Sequence, residues 1–554
     1  MKAIFLFVIT AFCLTACKKS GYMTSSPASF TLNFTVNGAN NGLLTYQSNT
    51  TNPVVRFNFS SPVQASGLNT NFTYVNSDHT SVPFSLTLEN NDSVVIIQPT
   101  NPLKGFSTYI LTVSPGLLSV GKGYLVNPVT INIKTAIDST DKFPLISDSA
   151  LLTLVEQQTF KYFYDFGHPV SGLALERNTS GDIVTTGGSG FGVMALLVGI
   201  QRNFISRVEG LARCNKIVYF LTNQAQRYHG AFPHWMNGTT GTTVPFNDND
   251  NGADLVETSY LMQGLLTARQ FFNSNDPAEI LLRSSINNLW NGVEWKWFRQ
   301  NGQNVLYWHW SPNLNFLINM PINGWNEALI VYALAASSPV DSNRVPPIVY
   351  SSGWGLNGGI KNGKSFYGIP LPLGPDWGGP LFFAHYSFLG INPNSLSDAY
   401  ADYRLQNRNH TLINFNYCVS NPGNYTGYSS VCWGLTASDD NISGYSAHSP
   451  TNDLGVITPS AAISSLPYTP TQSMNALRFF YYKLGDKIWG PYGFADAFNL
   501  TNVWFANSYL AIDQGPEIIM IENYRSGLLW NLFMSCPEIK MGMKSLGFIS
   551  PNLN

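Results

Sequence analysis

A polar loop turns into an apolar helix within Asp250-Asn251-Gly252-Ala253-Asp254-Leu255-Val256-Glu257, and apolar residues then continue at helical spacing to Phe272. The three carboxylates of this stretch stand at i, i+4 and i+7, which places them on one face of the helix. The sequence has no Lys or Arg between Arg227 and Arg269 to balance them. Because like charges this close repel one another, the cluster indicates a binding or catalytic site.

Apolar residues at helical spacing recur through the rest of the C-terminal region, without the alternating pattern of strands. We therefore predict an all-α domain over residues 149–554. The architecture that best fits is an (α/α)6 barrel, in which six inner helices are ringed by six outer ones around a cleft, although an α-solenoid has the same periodicity. The predicted helices include Leu151–Phe163, Phe191–Ile200, Ile217–Tyr228, Leu255–Phe272, Glu279–Trp290, Glu327–Ala335, Met474–Leu484 and Pro516–Met534.

Residues 21–136 have a different pattern, with short alternating strands separated by Asn, Gly and Pro clusters. This pattern predicts a small all-β sandwich that resembles the bacterial Ig-like modules preceding many extracellular enzymes. We interpret it as a spacer, and carbohydrate binding is the alternative. Residues 137–148 are expected to form the linker to the helical domain.

The chain begins with an apolar run, Ala3–Leu14, which is too short to span a membrane and has the layout of an export signal. Its ending, Leu14-Thr15-Ala16-Cys17, resembles a bacterial lipobox. That resemblance implies removal of residues 1–16 and lipidation of Cys17, and an ordinary secretory signal is the alternative. We expect a lipid anchor in the bacterial outer membrane, on the periplasmic side or at the cell surface, as the protein's one membrane contact.

Charged residues make up only 11% of the chain and the formal net charge is −2, which argues against nucleic-acid binding through a basic face. Aromatic residues make up 14%, a composition that suits the binding of sugars. Cys418 and Cys432 are expected to form a disulfide or to remain free buried thiols. We expect a monomer.

Two further acidic groups stand where a Gly-containing loop enters a helix, in Gly324-Trp325-Asn326-Glu327 and in Ala511-Ile512-Asp513-Gln514-Gly515-Pro516-Glu517. Helix capping accounts for any one acidic residue at such a place, but not for the accompanying Trp and Gly. Hydrolysis of a glycosidic bond needs two carboxyl groups, one of them protonated. We predict that Glu327, beside an apolar ring, is the catalytic acid and that Asp513 is the base that activates water. We predict that Asp250, Asp254 and Glu257 bind sugar hydroxyls.

The other candidates are aromatic and His side chains in loops, together with a further carboxylate after Asp513. The His residues lack metal-ligand spacing, so we expect no metal. Gly187-Gly188-Ser189-Gly190 lacks the Gly-Lys element of a phosphate loop, so we expect no nucleotide site. The side chains predicted to bind substrate are His168, His234, Trp235, Trp308, Trp325, Trp377 and Glu517.

Four stretches resemble, in order, the bacterial glucoamylase-like domain of glycoside hydrolase family 144: Thr159–Pro169, Asp254–Arg269, Gly324–Glu327 and Ala511–Glu517. The resemblance runs from about Leu151 to Phe548. It implies an (α/α)6 barrel that hydrolyses β-1,2-glucan with inversion and without a cofactor, and its acidic site carries over onto Asp250, Asp254, Glu257, Glu327 and Asp513. Ala253 and Leu175 stand where Gly and Arg are expected, and neither change removes a carboxylate.

The family includes endo-acting enzymes and exo-acting enzymes that release sophorose. We expect endo action that yields sophorooligosaccharides, with exo action as the alternative, and segment Asn409–Ala447 is where a loop would block the cleft. A glycan-binding surface lipoprotein on an inactive hydrolase scaffold is the alternative from another class. It is less favoured because every expected carboxylate is present.

Overall fold

The computed structural model describes residues 30–554, which divide into a first compact unit ending at Asp138 and a second from Ser139 to Asn554. The predicted signal peptide, residues 1–16, and Cys17 lie outside the described residues. No helix within residues 30–554 has the length and apolar content needed to cross a membrane.

The first unit is a sandwich of two four-stranded sheets, which confirms the predicted all-β unit. One sheet has the order β1-β3-β6-β5 and is antiparallel, and the other has the order β2-β8-β7-β4, with β2 parallel to β8. Alternate residues such as Phe57 and Leu111 point into a shared apolar core. The strands are β1 Leu32–Val36, β2 Thr45–Asn49, β3 Val55–Phe59, β4 Phe72–Asn76, β5 Phe84–Glu89, β6 Val94–Pro99, β7 Thr108–Val113 and β8 Val129–Thr135.

The second unit is predominantly helical, as predicted. Its helices are α1 Asp148–Tyr164, α2 Thr186–Gln201, α3 Arg207–Asn223, α4 Leu255–Phe271, α5 Pro277–Asn291, α6 Leu329–Ser337, α7 Pro347–Val349, α8 Tyr403–Ser420, α9 Pro459–Ile463, α10 Pro470–Ile488, α11 Ala511–Arg525, α12 Leu528–Met534 and α13 Pro537–Ser545. Two 3-10 turns, Leu381–Ala384 and Tyr386–Leu389, lie between α7 and α8.

The loops of this unit carry short strand pairs rather than a continuous sheet. These are β9 Ile183–Thr185, β10 Trp235–Asn237, β11 Thr243–Val244, β12 Ala253–Asp254, β13 Leu306–Tyr307, β14 His309–Trp310, β15 Pro321–Ile322, β16 Ser365–Phe366, β17 Ile369–Pro370, β18 Ala437–Asp440, β19 Gly444–Ala447, β20 Trp489–Gly490, β21 Gly493–Phe494, β22 Phe498–Asn499 and β23 Trp504–Phe505. The pairing of β12 with β14 sets His309 opposite Asp254, at the start of α4.

Three predicted helix limits are wrong. The predicted helix ending at Tyr228 ends at Asn223, because the chain turns at Tyr228 to pair with Ala231. Pro516 lies inside α11 rather than in its first turn, since the helix already begins at Ala511. The predicted helix to Met534 is divided by Gly527, whose φ of 72° leaves the right-handed helical region.

Helices α2, α4, α6, α9 and α11 are buried on almost every side, whereas α1, α3, α5, α8 and α10 bury only one face. The backbones of α2 and α4 touch. A Cβ atom at Gly190 would lie 2.2 Å from the carbonyl oxygen of Tyr260, and one at Gly264 would lie 2.1 Å from the carbonyl oxygen of Gly190. Glycine is therefore required at this crossing, which brings the starts of the two helices together.

The thiols of Cys214, Cys418, Cys432 and Cys536 are free and buried. Of the two alternatives for Cys418 and Cys432, the structure therefore contains the free thiols.

Candidate active site

A cavity of about 390 Å³ opens among the loops that precede α2, α4, α6 and α11. Its wall combines flat rings with a few charged groups, the usual composition of a site for a neutral polar ligand such as a sugar. The rings are Trp235, Phe246, Tyr260, Trp308, Phe382, Tyr386 and Tyr445, and the charged groups and the imidazole are Glu176, Arg177, His234, Glu257 and Glu327.

The first acidic group, here named the α4 cluster, comprises Asp250, Asp254 and Glu257 with His234 and His309. Asp254 is the N-cap of α4, and its Oδ1 accepts hydrogen bonds of 2.9 Å from the backbone N–H groups of Val256 and Glu257. Its Oδ2 lies 2.9 Å from Nδ1 of His234. The carboxylate is completely buried, so each of these partners replaces water that it lost on folding.

One of two imidazoles, that of His234, provides the counter-charge that no Lys or Arg supplies to the α4 cluster. Burial lowers the pKa of His234, but the charge of Glu257 and the hydrogen bond to Asp254 outweigh it and raise the pKa to about 9. His234 is therefore protonated at neutral pH. Nε2 of His309 lies 3.4 Å from Asp250 and 3.7 Å from Asp254. Burial lowers the pKa of His309, so it faces the same carboxylates as a neutral ring.

The carboxylates of the α4 cluster differ in protonation. Burial favours the neutral form of Asp254, but hydrogen bonding to His234 prevails and holds its pKa below the ordinary value. Burial, followed by the charge of Asp254, raises the pKa of Asp250 to about 7. The cluster thus holds one firmly ionised carboxylate beside one that titrates near neutrality.

Glu257 joins the α4 cluster to the start of α2. Its Oε2 accepts a hydrogen bond of 2.7 Å from the N–H of Gly187 and lies 3.4 Å from the hydroxyl of Thr185. A Cβ atom at Gly187 would lie 2.6 Å from that same oxygen, so only glycine permits the contact. Burial raises the pKa of Glu257. The Gly-rich stretch at 187–190 thus serves helix packing and binds a carboxylate of the protein itself.

Glu327 reaches the cavity from the loop before α6. The loop is held by the side chain of Asn326, which accepts from the N–H of Ala328 at 2.9 Å. The carbonyl of Glu327 accepts hydrogen bonds from the hydroxyls of Ser387 and Tyr260. Burial raises the pKa of the Glu327 carboxyl to about 7, and the charge of Glu257 adds to this. The group is therefore partly protonated at neutral pH, as a general acid must be.

The second acidic group, here named the α11 cluster, comprises Asp439, Asp496 and Asp513 with Arg177. Asp513 lies in the first turn of α11 and is buried, and Oγ of Ser460 lies 3.4 Å from its Oδ1. Asp513 also interacts with the side chain of Asp496. Burial and the charge of Asp496 raise the pKa of Asp513 well above its usual range, while burial and the charge of Asp439 raise that of Asp496 to about 7.

Arg177 connects the α11 cluster to the cavity wall. Its Nη1 lies 3.1 Å from both carboxylate oxygens of Asp439, and its Nε lies 3.0 Å from Glu176. Arg177 and Glu176 line the cavity, as does Ile512, the residue before Asp513. Asp513 itself is buried and is not among the residues that line the cavity.

The structure brings most predicted site residues to the cavity. Glu257, Glu327, His234, Trp235 and Trp308 line it, and Asp250 and Asp254 contact the imidazoles of the α4 cluster. Four predicted substrate-binding residues lie away from the cavity wall, namely His168, Trp325, Trp377 and Glu517.

Each of these four residues has other contacts. His168 is buried and lies 3.4 Å from Asp182, and Trp325 packs among Trp354, Phe388 and Tyr403. Trp377 packs against Phe366 and Tyr367. Glu517 is buried one turn after Asp513, its Oε1 lies 3.3 Å from the hydroxyl of Thr159, and burial raises its pKa to about 8.

Sequence reasoning missed Glu176, Arg177, Asp439, Asp496, Tyr386 and Tyr445. Two of them had one indication in the sequence. Asp439 and Tyr445 lie in segment Asn409–Ala447, where a loop was expected to block the cleft. The segment supplies the hairpin of β18 and β19, from which Tyr445 reaches the cavity. Asp496 stands alone in a loop of short strands, so its role depends on contacts that no local pattern records.

Within residues 30–554, His234, Asp250 and Asp254 form a group whose possible metal-ligand atoms lie within 4.8 Å of one another. His234 already donates its Nδ1 proton to Asp254, and its pKa of about 9 keeps it protonated. In this structure Nδ1 of His234 is therefore already engaged by a carboxylate of the same group.

Comparison with known proteins gives two family matches. Residues 319–537 match the family model described as "Putative glucoamylase", and residues 23–135 match that of the bacterial Ig-like domain.

Individual relatives extend these matches over the second unit. An exo β-1,2-glucooligosaccharide sophorohydrolase (non-reducing end) from Parabacteroides distasonis is 45% identical over 431 residues, which are 74% of this chain and 59% of that protein. This chain therefore spans less than two thirds of that relative's length. An endo-β-1,2-glucanase structure from Chitinophaga pinensis, in complex with sophorotriose and glucose, is 52% identical with a TM-score of 0.72, over 74% of this chain and all of that one. A β-1,2-glucanase structure from Parabacteroides distasonis is 37% identical with a TM-score of 0.70, over 91% of this chain and 72% of that one.

Proposed function

This chain belongs to the glucoamylase-like glycoside hydrolases of family 144, and on that premise we propose that it hydrolyses β-1,2-glucan by an inverting, endo-acting mechanism. The observation that carries the proposal is the carboxyl of Glu327, which lines a cavity walled by aromatic rings and has its pKa raised to about 7 by burial. Such a group can be protonated when substrate binds and can protonate the oxygen that leaves.

Asp513 is the proposed base. As the glycosidic bond breaks, Glu327 transfers its proton to the departing oxygen, and a water molecule attacks the anomeric carbon from the opposite face. The proton lost by that water passes to Asp513. Asp513 follows Ile512, which lines the cavity, so the attacking water would stand between this part of the wall and the sugar.

The α4 cluster is proposed to bind and orient the sugar. Asp254 is ionised and held by the cap of α4, so its orientation is fixed before substrate arrives. Glu257, which lines the cavity, can accept a hydrogen bond from a sugar hydroxyl in addition to that from Gly187. Trp235 and Trp308 provide flat faces for stacking on sugar rings.

We further propose that the helical unit is an (α/α)6 barrel. The helices buried on nearly all sides, α2, α4, α6, α9 and α11, alternate along the chain with helices that bury one face. The turn Tyr386–Leu389 is equally buried and lies where a sixth inner element is needed. Contacts of α2 with α4 and α11, of α4 with α6, of that turn with α6 and α11, and of α9 with α11 support this arrangement.

Exo action that releases sophorose is a second candidate, because the curated relative that is 45% identical carries out that reaction. The hairpin of β18 and β19 is where the two modes would differ, since Tyr445 extends from it into the cavity wall. We favour endo action because the endo-β-1,2-glucanase of Chitinophaga pinensis matches this chain over its own full length at 52% identity. Export, lipidation of Cys17, location in the outer membrane and the monomeric state are proposed from the sequence alone.

The test follows products from linear β-1,2-glucan over time by thin-layer chromatography, with the wild type beside Glu327→Gln. We expect a ladder of sophorooligosaccharides from the wild type and a rate lower by about 10²–10⁴-fold from the variant. Glu538→Gln makes the same chemical change on α13, where Glu538 pairs with Arg269, and should retain the wild-type rate. Sophorose alone at the earliest times would establish exo action, and an active Glu327→Gln variant would remove Glu327 from the mechanism.

A further inference from the structure

Asp496 and Asp513 each have one buried oxygen with no conventional hydrogen-bond partner. These atoms are Oδ1 of Asp496 and Oδ2 of Asp513. Both side chains are almost completely buried, with 2% and 3% of their surface exposed. Burying a carboxylate oxygen without a donor raises the free energy of the folded state. A proton shared between the two side chains would supply the missing donor.

The remaining oxygens of the pair are held in place. The backbone N–H of Asp439 donates to Oδ2 of Asp496 at 2.7 Å, and Oγ of Ser460 lies 3.4 Å from Oδ1 of Asp513. Asp496 is further fixed through its own N–H, which donates to the carbonyl of Ser508 at 2.9 Å. One oxygen of each carboxyl group is thus anchored, and Oδ1 of Asp496 and Oδ2 of Asp513 are the two oxygens left without a donor.

Two buried carboxylates in contact cannot both be ionised without strong repulsion. The charges around them relieve it only in part. Arg177 lowers the pKa of Asp496, but it is also engaged by Asp439 and Glu176, and the charge of Asp439 raises the pKa of both carboxyls. The remaining titratable groups that face the pair are tyrosines. These are Tyr162 beside Asp496, Tyr386 beside Asp513, and Tyr445 beside both. None of them supplies a positive charge.

We propose that Asp496 is a positioning residue that shares one proton with Asp513, so that the pair carries a single negative charge while Asp513 serves as the base. This inference rests on the proposed function. When Asp513 accepts a proton from the attacking water, the proton already in the pair resides on Asp496. The pair then becomes neutral, the new hydroxyl adds to the anomeric carbon, and the second proton returns to solvent after the product leaves.

The first test does not depend on activity. The full-length protein, labelled with ¹³C at aspartate side-chain carboxyls, is titrated by NMR, with Asp496→Asn and Asp513→Asn used for assignment. We expect the two resonances to titrate together in the wild type. In Asp496→Asn, the loss of the neighbouring charge should lower the pKa of Asp513 by about one to three units. Asp453→Asn neutralises an aspartate bonded to Tyr428 and should move neither resonance. An Asp513 that titrates identically in the wild type and in Asp496→Asn would overturn the proposal.

The second test measures kcat for Asp496→Asn, Asp513→Asn and the double variant. Since Asp496 acts through Asp513, adding Asp496→Asn to Asp513→Asn should not lower kcat further. A double variant whose kcat loss is the product of the two single losses would mean that Asp496 acts independently, and would overturn the proposal. Absence of β-1,2-glucan hydrolysis by the wild type would contradict the proposed function instead, and would leave the NMR result to decide on the shared proton.

Discussion

The α4 cluster and the α11 cluster have the same sequence signature, a carboxylate at the point where a loop becomes a helix, but the structure compensates their charge differently. In the α4 cluster, Asp254 is paired with the protonated imidazole of His234 and stays ionised. In the α11 cluster, the partner of Asp513 is another carboxyl, Asp496, and the pKa values of both are raised.

The difference shows that the partner, rather than the spacing of the acids, determines what a carboxylate can do. A carboxylate that is capped and paired with a cation is fixed in one charge state and suits binding. One that faces another carboxylate retains a proton that can move, and suits acid–base chemistry. Substitutions that neutralise one acid in each cluster should therefore separate loss of catalysis from loss of stability.

The largest expected effect is that of Asp513→Asn on catalysis. We expect kcat on β-1,2-glucan to fall by about 10²–10⁴-fold, because the amide cannot accept a proton from water. Stability should not fall, since burial already disfavours a second negative charge on the pair and the neutral amide has nearly the same shape as the carboxyl. Steady-state kinetics together with urea unfolding at pH 7 would measure both. A large loss of stability would contradict the shared-proton description of the α11 cluster.

For Asp254→Asn we expect the reverse, a loss of stability that exceeds the loss of catalysis. The amide can still cap α4, but it leaves the charge of His234 without its partner, so the free energy of unfolding should fall by about 3 kcal/mol. Asp402→Asn is the matched control, because Asp402 caps α8 through the N–H of Leu405 and should cost less than about 1 kcal/mol. Urea unfolding at pH 7 would compare them. Equal losses would mean that capping alone explains Asp254.

The smallest effect is the pH dependence of the His234 interaction. Its pKa is about 9 in the folded protein against an ordinary value of 6.5, so its stabilisation is fully present below pH 6.5 and is lost as the pH rises to about 9. The stability difference between the wild type and His234→Gln should therefore be at most about 3 kcal/mol larger below pH 6.5 than above pH 9. A difference that stayed constant over this range would show that His234 is not charged in the fold.

Much of the α4 cluster could be predicted because its three carboxylates lie within eight consecutive residues and follow helical spacing. Glu327 could be predicted equally well from the sequence, since it follows Trp325 in a Gly-containing loop before α6. Only one member of the α11 cluster could be predicted from the sequence. Asp513 stands at a helix start, but Asp496, Asp439 and Arg177 come from three separate loops that meet through long-range packing.

The aromatic predictions had a related weakness. Trp235 and Trp308 line the cavity, whereas Trp325 and Trp377 pack against other rings, although all four occur in or next to loops. A Trp in a loop has no sequence feature that tells which side of the loop its ring faces. Only the neighbouring elements decide that, and they are distant in the chain.

The contact between the backbones of α2 and α4 limits how this scaffold can diversify during evolution. With Gly190 and Gly264 already in contact, no side chain can be inserted to change the spacing of α2 and α4, where Gly187 binds Glu257. New preferences for chain length would therefore arise in the loops around the cavity, such as the hairpin that carries Tyr445. Paralogues that cut within a polymer and paralogues that trim its ends can thus share the α2–α4 contact and differ in the loops around the cavity.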